Sequence, residues 1–229
     1  YERLYADSSI LYAFAYLWFS EDTANQDALT FRARVQQFVT EIENRTLFFT
    51  LWWKSLDDAA AERLLAYSDD IRYFLESLRR FKPHTLSEPE ERIVNIKNAN
   101  GVTTLITIYS MITSGLKFHL TVDGEEQELT RGQLMSYVFD PNADLREAAY
   151  RELFEVYGEH TDVLAQIYAA RVRDWTEEYV KLREHASPIS VRNLHNDIPD
   201  PVVETLLDVI SDNVGLFQRY FRFKARALN

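Results

Sequence analysis

The sequence predicts a mainly helical, all-α protein with one short antiparallel β-hairpin. Three observations carry that prediction. Glycine and proline number only 6 each in 229 residues, where average usage gives roughly 16 and 11, so tight turns are few. Apolar residues recur at three- and four-residue spacing over most of the chain. Strict alternation occurs once, on either side of Asp123-Gly124, a dipeptide suited to a two-residue hairpin loop. The linear division that follows is a helical region over 1–116, a hairpin over 117–130 and a second helical region over 131–229.

The first helix is expected over Glu2 to Ser20, where Leu4, Leu11, Phe14, Leu17 and Trp18 mark an apolar surface wider than one seam. A surface that wide predicts a well-buried helix. After the turn Glu21 to Asn25, a long helix is expected over Gln26 to Ser55. Its face carries Phe31, Val35, Phe38, Ile42, Leu47 and Phe49 and closes on Leu51, Trp52 and Trp53. Ser55-Leu56-Asp57-Asp58 reads as a turn and N-cap before a short helix over Ala59 to Tyr67. A further helix bears Ile71, Phe74, Leu75 and Leu78 and stops before Pro83, which disfavours helix at Lys82. Ser87, Pro89, Glu90 and Glu91 make a strong helix start, and Gly101 ends that helix. Val102 to Leu116 is rich in β-branched residues but long enough for a helix. The hairpin Lys117 to Thr130 follows, then a short helix over Arg131 to Phe139. Asn142 or Asp144 caps a long helical stretch through Glu184, with Gly158 as a dividing point. His185 to Pro201 reads as the longest irregular segment. Helices over Val202 to Asp212 and from Leu216 onward complete the chain. No repeat of about 34 or 40 residues is present.

Composition excludes several function classes. Lys plus Arg number 25 against 36 Asp plus Glu, a formal charge of −11. That charge opposes non-specific nucleic-acid binding and adsorption to an anionic membrane; neither partner is expected. With no cysteine, a disulfide framework, a thiolate metal site and a cysteine nucleophile are all excluded. No run of about 18 uncharged apolar residues is available for a transmembrane helix. A cytoplasmic protein fits these features. The chain opens at Tyr1 inside one helical pattern and closes at Asn229 inside another. It is therefore expected to be a piece of a longer protein, with an exposed apolar edge at Leu216 to Asn229 and a tendency to self-associate.

The chemistry-bearing constellations are few. His84, His119, His160, His185 and His195 include no pair four residues apart, so H-E-x-x-H is absent. No glycine-rich phosphate loop and no G-x-S-x-G elbow occurs. The pairs Asp57-Asp58, Asp69-Asp70 and Glu90-Glu91 stand at helix starts, where capping and the helix dipole account for them. Phe48, Phe49, Trp52 and Trp53 could stack bases or sugars, but their spacing favours core packing. The polar, proline-stiffened stretch Arg183 to Asp197 is the best candidate for function. Within it Arg192 could pair a carboxylate, and Asn193 or Asn196 could bond a peptide backbone. The competing reading makes these side chains staples of their own loop.

Several stretches, in order along the chain, resemble one family. They are Trp52-Trp53-Lys54-Ser55-Leu56; Leu86-Ser87-Glu88-Pro89-Glu90-Glu91-Arg92-Ile93 with Lys97 and Gly101; and Val122-Asp123-Gly124-Glu125 with Leu129-Thr130. Leu145-Arg146-Glu147-Ala148-Ala149-Tyr150, Arg173-Asp174-Trp175, Ser187-Pro188-Ile189-Ser190-Val191-Arg192-Asn193 and Phe217-Gln218-Arg219-Tyr220-Phe221 continue the series. Together they resemble oligoendopeptidase F, of the thimet-oligopeptidase-like clan. The resemblance implies the N-terminal portion of a bilobal, mostly helical zinc metallopeptidase that hydrolyses oligopeptides in a deep cleft. In that family an H-E-x-x-H helix and a later Glu hold zinc, and the motif's Glu activates the metal-bound water. Both would lie beyond Asn229, so no catalytic or metal residue is expected in this chain, and no zinc bound to it alone. The implied partners are oligopeptide substrates and a downstream catalytic half. Arg192, Asn193, His195 and Asn196 are the expected substrate-cleft candidates. The alternative is a stand-alone helical module that grips peptides or a protein without catalysis.

Overall fold

The computed structural model describes residues 1–228. In chain order the helices are α1 (Glu2–Glu21), α2 (Gln26–Ser55), α3 (Asp58–Leu65), α4 (Arg72–Arg80), α5 (Glu88–Asn100) and α6 (Val102–Gly115). Strands β1 (Phe118–Val122) and β2 (Glu125–Leu129) follow. Then come α7 (Arg131–Tyr137), α8 (Ala143–Glu159), α9 (Thr161–Trp175), α10 (Pro188–His195), α11 (Asp200–Asp212) and α12 (Val214–Leu228). Short 3-10 turns occupy Asp69–Ile71 and Lys82–His84, and α9 runs directly into a π-helical segment, Thr176–Leu182. Among the described residues the chain is thus mainly helical with one antiparallel hairpin, as the sequence predicts.

Local chemistry explains the element boundaries. Asn25 Oδ1 accepts from the N–H groups of Asp27 and Ala28 and starts α2. Asp57 Oδ1 accepts from Ala60 N–H at 2.7 Å and starts α3. Ser87 and Glu90 form a reciprocal capping box at α5, and Thr130 and Gln133 form another at α7. Asn142, rather than Asp144, caps α8. Asp123 and Gly124 carry φ of 54° and 86°, the pair of positive angles that a two-residue hairpin loop needs to match the strand twist. The α8–α9 break falls at His160, two residues beyond Gly158.

Two compact units emerge, each assembled from two stretches of chain. One holds Tyr1–Leu51 and Leu86–Asp174; the other holds Trp52–Thr85 and Trp175–Asn229. Their limits fall at 51/52, 85/86 and 174/175, whereas the linear division of the sequence falls at 116/117 and 130/131.

In the first unit the main core forms under the hairpin. Phe118 and Leu120 on β1 and Leu129 on β2 turn inward onto Leu116, Leu134 and Ala149. His119 and Thr121 alternate outward, the period-two pattern of a half-buried strand. In the second unit Trp53 is the anchor. It is buried, its Nε1 donates to the Leu75 carbonyl at 2.7 Å, and Arg79 lies over its ring. Arg79 and Lys82 also donate to the Trp53 and Leu56 carbonyls. They thereby supply donors to groups that the end of α2 leaves unpaired.

Three expectations need correction. α1 is not well buried: Ser8, Ala15 and Phe19 are its buried residues, while Ile10 and Leu17 are 70% and 67% exposed. Periodicity reports which face of a helix is apolar, not how much of that face finds a partner. The aromatic run of α2 divides, with Trp53 in the core but Phe48 and Trp52 exposed. The segment from His185 to Pro201 is not irregular, because Pro188–His195 is helical. Ser187 Oγ accepts from Ser190 N–H at 3.2 Å and Pro188 sits in the first turn. Serine and proline, read as loop residues, are here a helix start.

Candidate functional site

The site is built around α10. Its 3.6-residue period sends successive side chains about 100° apart, so Arg192, His195 and Asn196 fall on one side and Asn193 on another. Arg192, His195 and Asn196 are exposed, whereas Val191 and Asn193 are buried. Asn193 Nδ2 donates to Asp200 Oδ1 at 2.8 Å, and Ser190 Oγ donates to Asp200 Oδ2 at 2.6 Å. Those two donors hold the Asp200 carboxyl below the usual carboxylate range. The Asn193 carbonyl accepts from Ile198 N–H. Asn193 therefore joins α10 to the first turn of α11, while Arg192 and Asn196 keep outward-facing polar ends.

The tip after α10 is held in place as well. Asp197 has φ of 56°, and its carboxylate is gripped by Arg80 and by the Tyr73 hydroxyl at 2.9 Å. The His195 ring lies 4.9 Å from the Phe81 ring. Partial burial, then Arg192 and Arg183, push the His195 imidazole below its ordinary value.

A second cluster adjoins the N-terminal side of α10, and nothing in the sequence spacing indicates it. His84 and His185, 101 positions apart, stack with centroids 3.6 Å apart and planes 13° from parallel. His84 Nδ1 lies 2.8 Å from the Arg183 carbonyl, and Arg183 Nη1 donates to the His84 carbonyl at 3.2 Å. Arg183 Nε donates to Glu178 Oε1 at 3.0 Å, with both side chains nearly buried. The π-helical turn makes this possible: Arg183 N–H reaches back five residues to the Glu178 carbonyl. Burial first, then His84, His195 and Arg183, depress the His185 imidazole to about 4. His185 is thus a neutral imidazole beside a paired guanidinium.

Metal ligation has no support in this arrangement. Among the described residues no group of three or more His, Asp or Glu side chains is placed to hold a metal ion. The stacked rings of His84 and His185 carry in-plane lone pairs that run side by side and do not converge on one tetrahedral ion. Among the described residues no helix is long and apolar enough to cross a membrane.

Comparison with known proteins points one way. A family model described as oligopeptidase F matches residues 52–118. Oligopeptidase PepF of Bacillus subtilis is 19% identical, aligned over 95% of this chain and 33% of its own length. Group B oligopeptidase PepB of Streptococcus agalactiae is 24% identical over 95% of this chain and 37% of its own. An oligoendopeptidase F homolog of Borreliella burgdorferi is 23% identical over the whole chain and 38% of its own. The chain spans about a third of the length of these relatives. Among solved structures, oligoendopeptidase-F from Enterococcus faecium superposes with a TM-score of 0.83 at 21% identity, over 98% of this chain and 44% of that one. A putative peptidase from Chlamydophila abortus gives 0.68 at 23% identity, over 99% and 40%. The matched segment, the aligned relatives and the shared helical fold make the chain similar to the N-terminal region of oligoendopeptidase F proteins.

Proposed function

We propose that this chain is the N-terminal part of a zinc-dependent peptidase that hydrolyses oligopeptides in the cytoplasm, and that it forms one wall of the substrate cleft. The observation that carries the reading is alignment across 95–100% of the chain with relatives named as oligopeptidases or as oligoendopeptidase F homologs. Zinc, which in the parent enzyme polarises the scissile carbonyl and activates water, would be held by residues outside this sequence. What this chain contributes is binding and orientation. Arg192 offers a planar, permanently charged donor set suited to a peptide carboxylate. His195, whose imidazole is pushed below its ordinary value, and Asn196 offer further hydrogen-bonding groups along the same side of α10. Asn193 acts one step back, fixing that side through Asp200.

The test uses the full-length parent and a quenched fluorescent oligopeptide. Metal-dependent cleavage is expected, with Arg192→Ala lowering kcat/KM at unchanged melting temperature. A parent without peptidase activity overturns the reading. Peptide binding by the 229-residue chain in the absence of any hydrolytic parent favours a helical recognition module instead.

A further inference from the structure

We propose that the His84–His185 stack is a proton-sensitive clasp, closed while the His185 imidazole is neutral and released when it takes up a proton. The geometry carries this. The stack ties the 3-10 turn Lys82–His84 to the end of the π-helical segment, and His185 is only 5% exposed. Two reciprocal contacts between His84 and Arg183 close the same junction.

Burial, His84, His195 and Arg183 make the protonated form of His185 costly. His84 comes from the turn after α4, Arg183 from the end of the π-helical segment and His195 from α10. Tyr179 presents a ring 6.3 Å from His185. Glu178, the acid here, is bonded to Arg183. A proton on His185 would set a positive charge in a nearly buried place beside the Arg183 guanidinium, with little water to screen it. Protonation and closure therefore exclude each other. The depressed imidazole of His185 agrees with that arrangement.

The consequence reaches the candidate site. The chain runs from His185 to the Ser187 cap of α10 in two residues, so opening the clasp frees the entry to the helix that bears Arg192 and His195. That consequence for substrate binding rests on the function proposed above; the clasp itself does not.

The test is amide hydrogen exchange, corrected for intrinsic rates, together with histidine ring titration by NMR on the intact 229-residue chain. A folded-state value of about 4 against ~6.5 when exposed predicts the opening equilibrium for Arg183 and His185 amides to rise on the order of tenfold between pH 7 and pH 5. Phenylalanine stacks but cannot take a proton, so His185→Phe should abolish the rise. An unchanged exchange pattern in the wild type, or an equal rise in His185→Phe, overturns the clasp. If the variant does not fold, the ring titration decides: His185 must titrate well below the ordinary imidazole value, and a value of ~6.5 overturns the clasp equally. No peptidase readout enters, so failure of the clasp and failure of the functional reading remain distinguishable.

Discussion

Replacing Asn193 by Ala separates positioning from contact in the candidate site. Asn193 is 5% exposed and donates to Asp200 at 2.8 Å. Truncation removes that bond and leaves a small void at a buried position. Deleting a buried hydrogen-bond partner costs about 1–3 kcal/mol. Ser190 still donates to the other Asp200 oxygen at 2.6 Å, which keeps α10 joined to α11 and the loss inside that range. For a chain of this length, about 2–4 °C accompanies each kcal/mol, so a fall of roughly 2–12 °C is expected. Arg192→Ala, one residue away but exposed, should change stability by less than about 0.5 kcal/mol. The assay is urea unfolding followed by tryptophan fluorescence, since Trp53 and Trp175 report on the same unit. The acid limb gives an independent reading. The Asp200 carboxyl is held low by Ser190 and Asn193, so its stabilising effect is present above the ordinary carboxylate value and lost as pH falls through the lowered one. Asn193→Ala should move that loss to higher pH. An Asn193→Ala protein as stable as the wild type, or an Arg192→Ala protein as damaged as Asn193→Ala, refutes the division of roles.

Other outcomes follow from the same structure. Phe118→Ala empties the middle of the hairpin core and should cost about 3–5 kcal/mol, read as a lowered urea midpoint; a change below 1 kcal/mol would mean that this core is not closed. Gly124→Ala should cost about 1 kcal/mol, because φ of +86° strains any side-chain-bearing residue. Gly101→Ala should also destabilise, since a Cβ there would meet the Lys97 carbonyl at 2.9 Å; thermal melts of both variants check this. The 229-residue chain alone is expected to retain no stoichiometric zinc after dialysis and to cleave no quenched peptide; metal-dependent hydrolysis by pure chain would contradict the assignment of zinc to other residues. The apolar residues of α11 and α12 are exposed, with Leu206, Leu207, Phe221 and Phe223 at 57–70%, so concentration-dependent association is expected by light scattering, and strict monomers at high concentration would count against it.

Fold class, most helix limits and the hairpin are determined by the sequence alone, because they rest on local chemistry. Scarce glycine and proline, caps at Asp57 and Ser87, and alternation about Asp123-Gly124 act within a few residues of themselves, and no distant partner is needed to read them. The resemblance to oligoendopeptidase F is legible for a related reason: it lies in short ordered motifs. Helix α10 lies at the edge of that legibility, since Ser187-Pro188 serves equally as loop punctuation or helix start, and only burial of Val191 and Asn193 decides between them. What tertiary structure alone decides is which side chains share a place. Arg192 and Asn193 are sequence neighbours, yet one faces outward and the other bonds Asp200, because the helical period turns them apart. His84 and His185 are 101 residues apart, yet their rings touch, because a π-helical turn carries Arg183 and His185 back onto the turn before α5. The exposure of α1 was equally beyond the sequence: an apolar stripe states what a helix can bury, and only the neighbours it meets determine what it does bury.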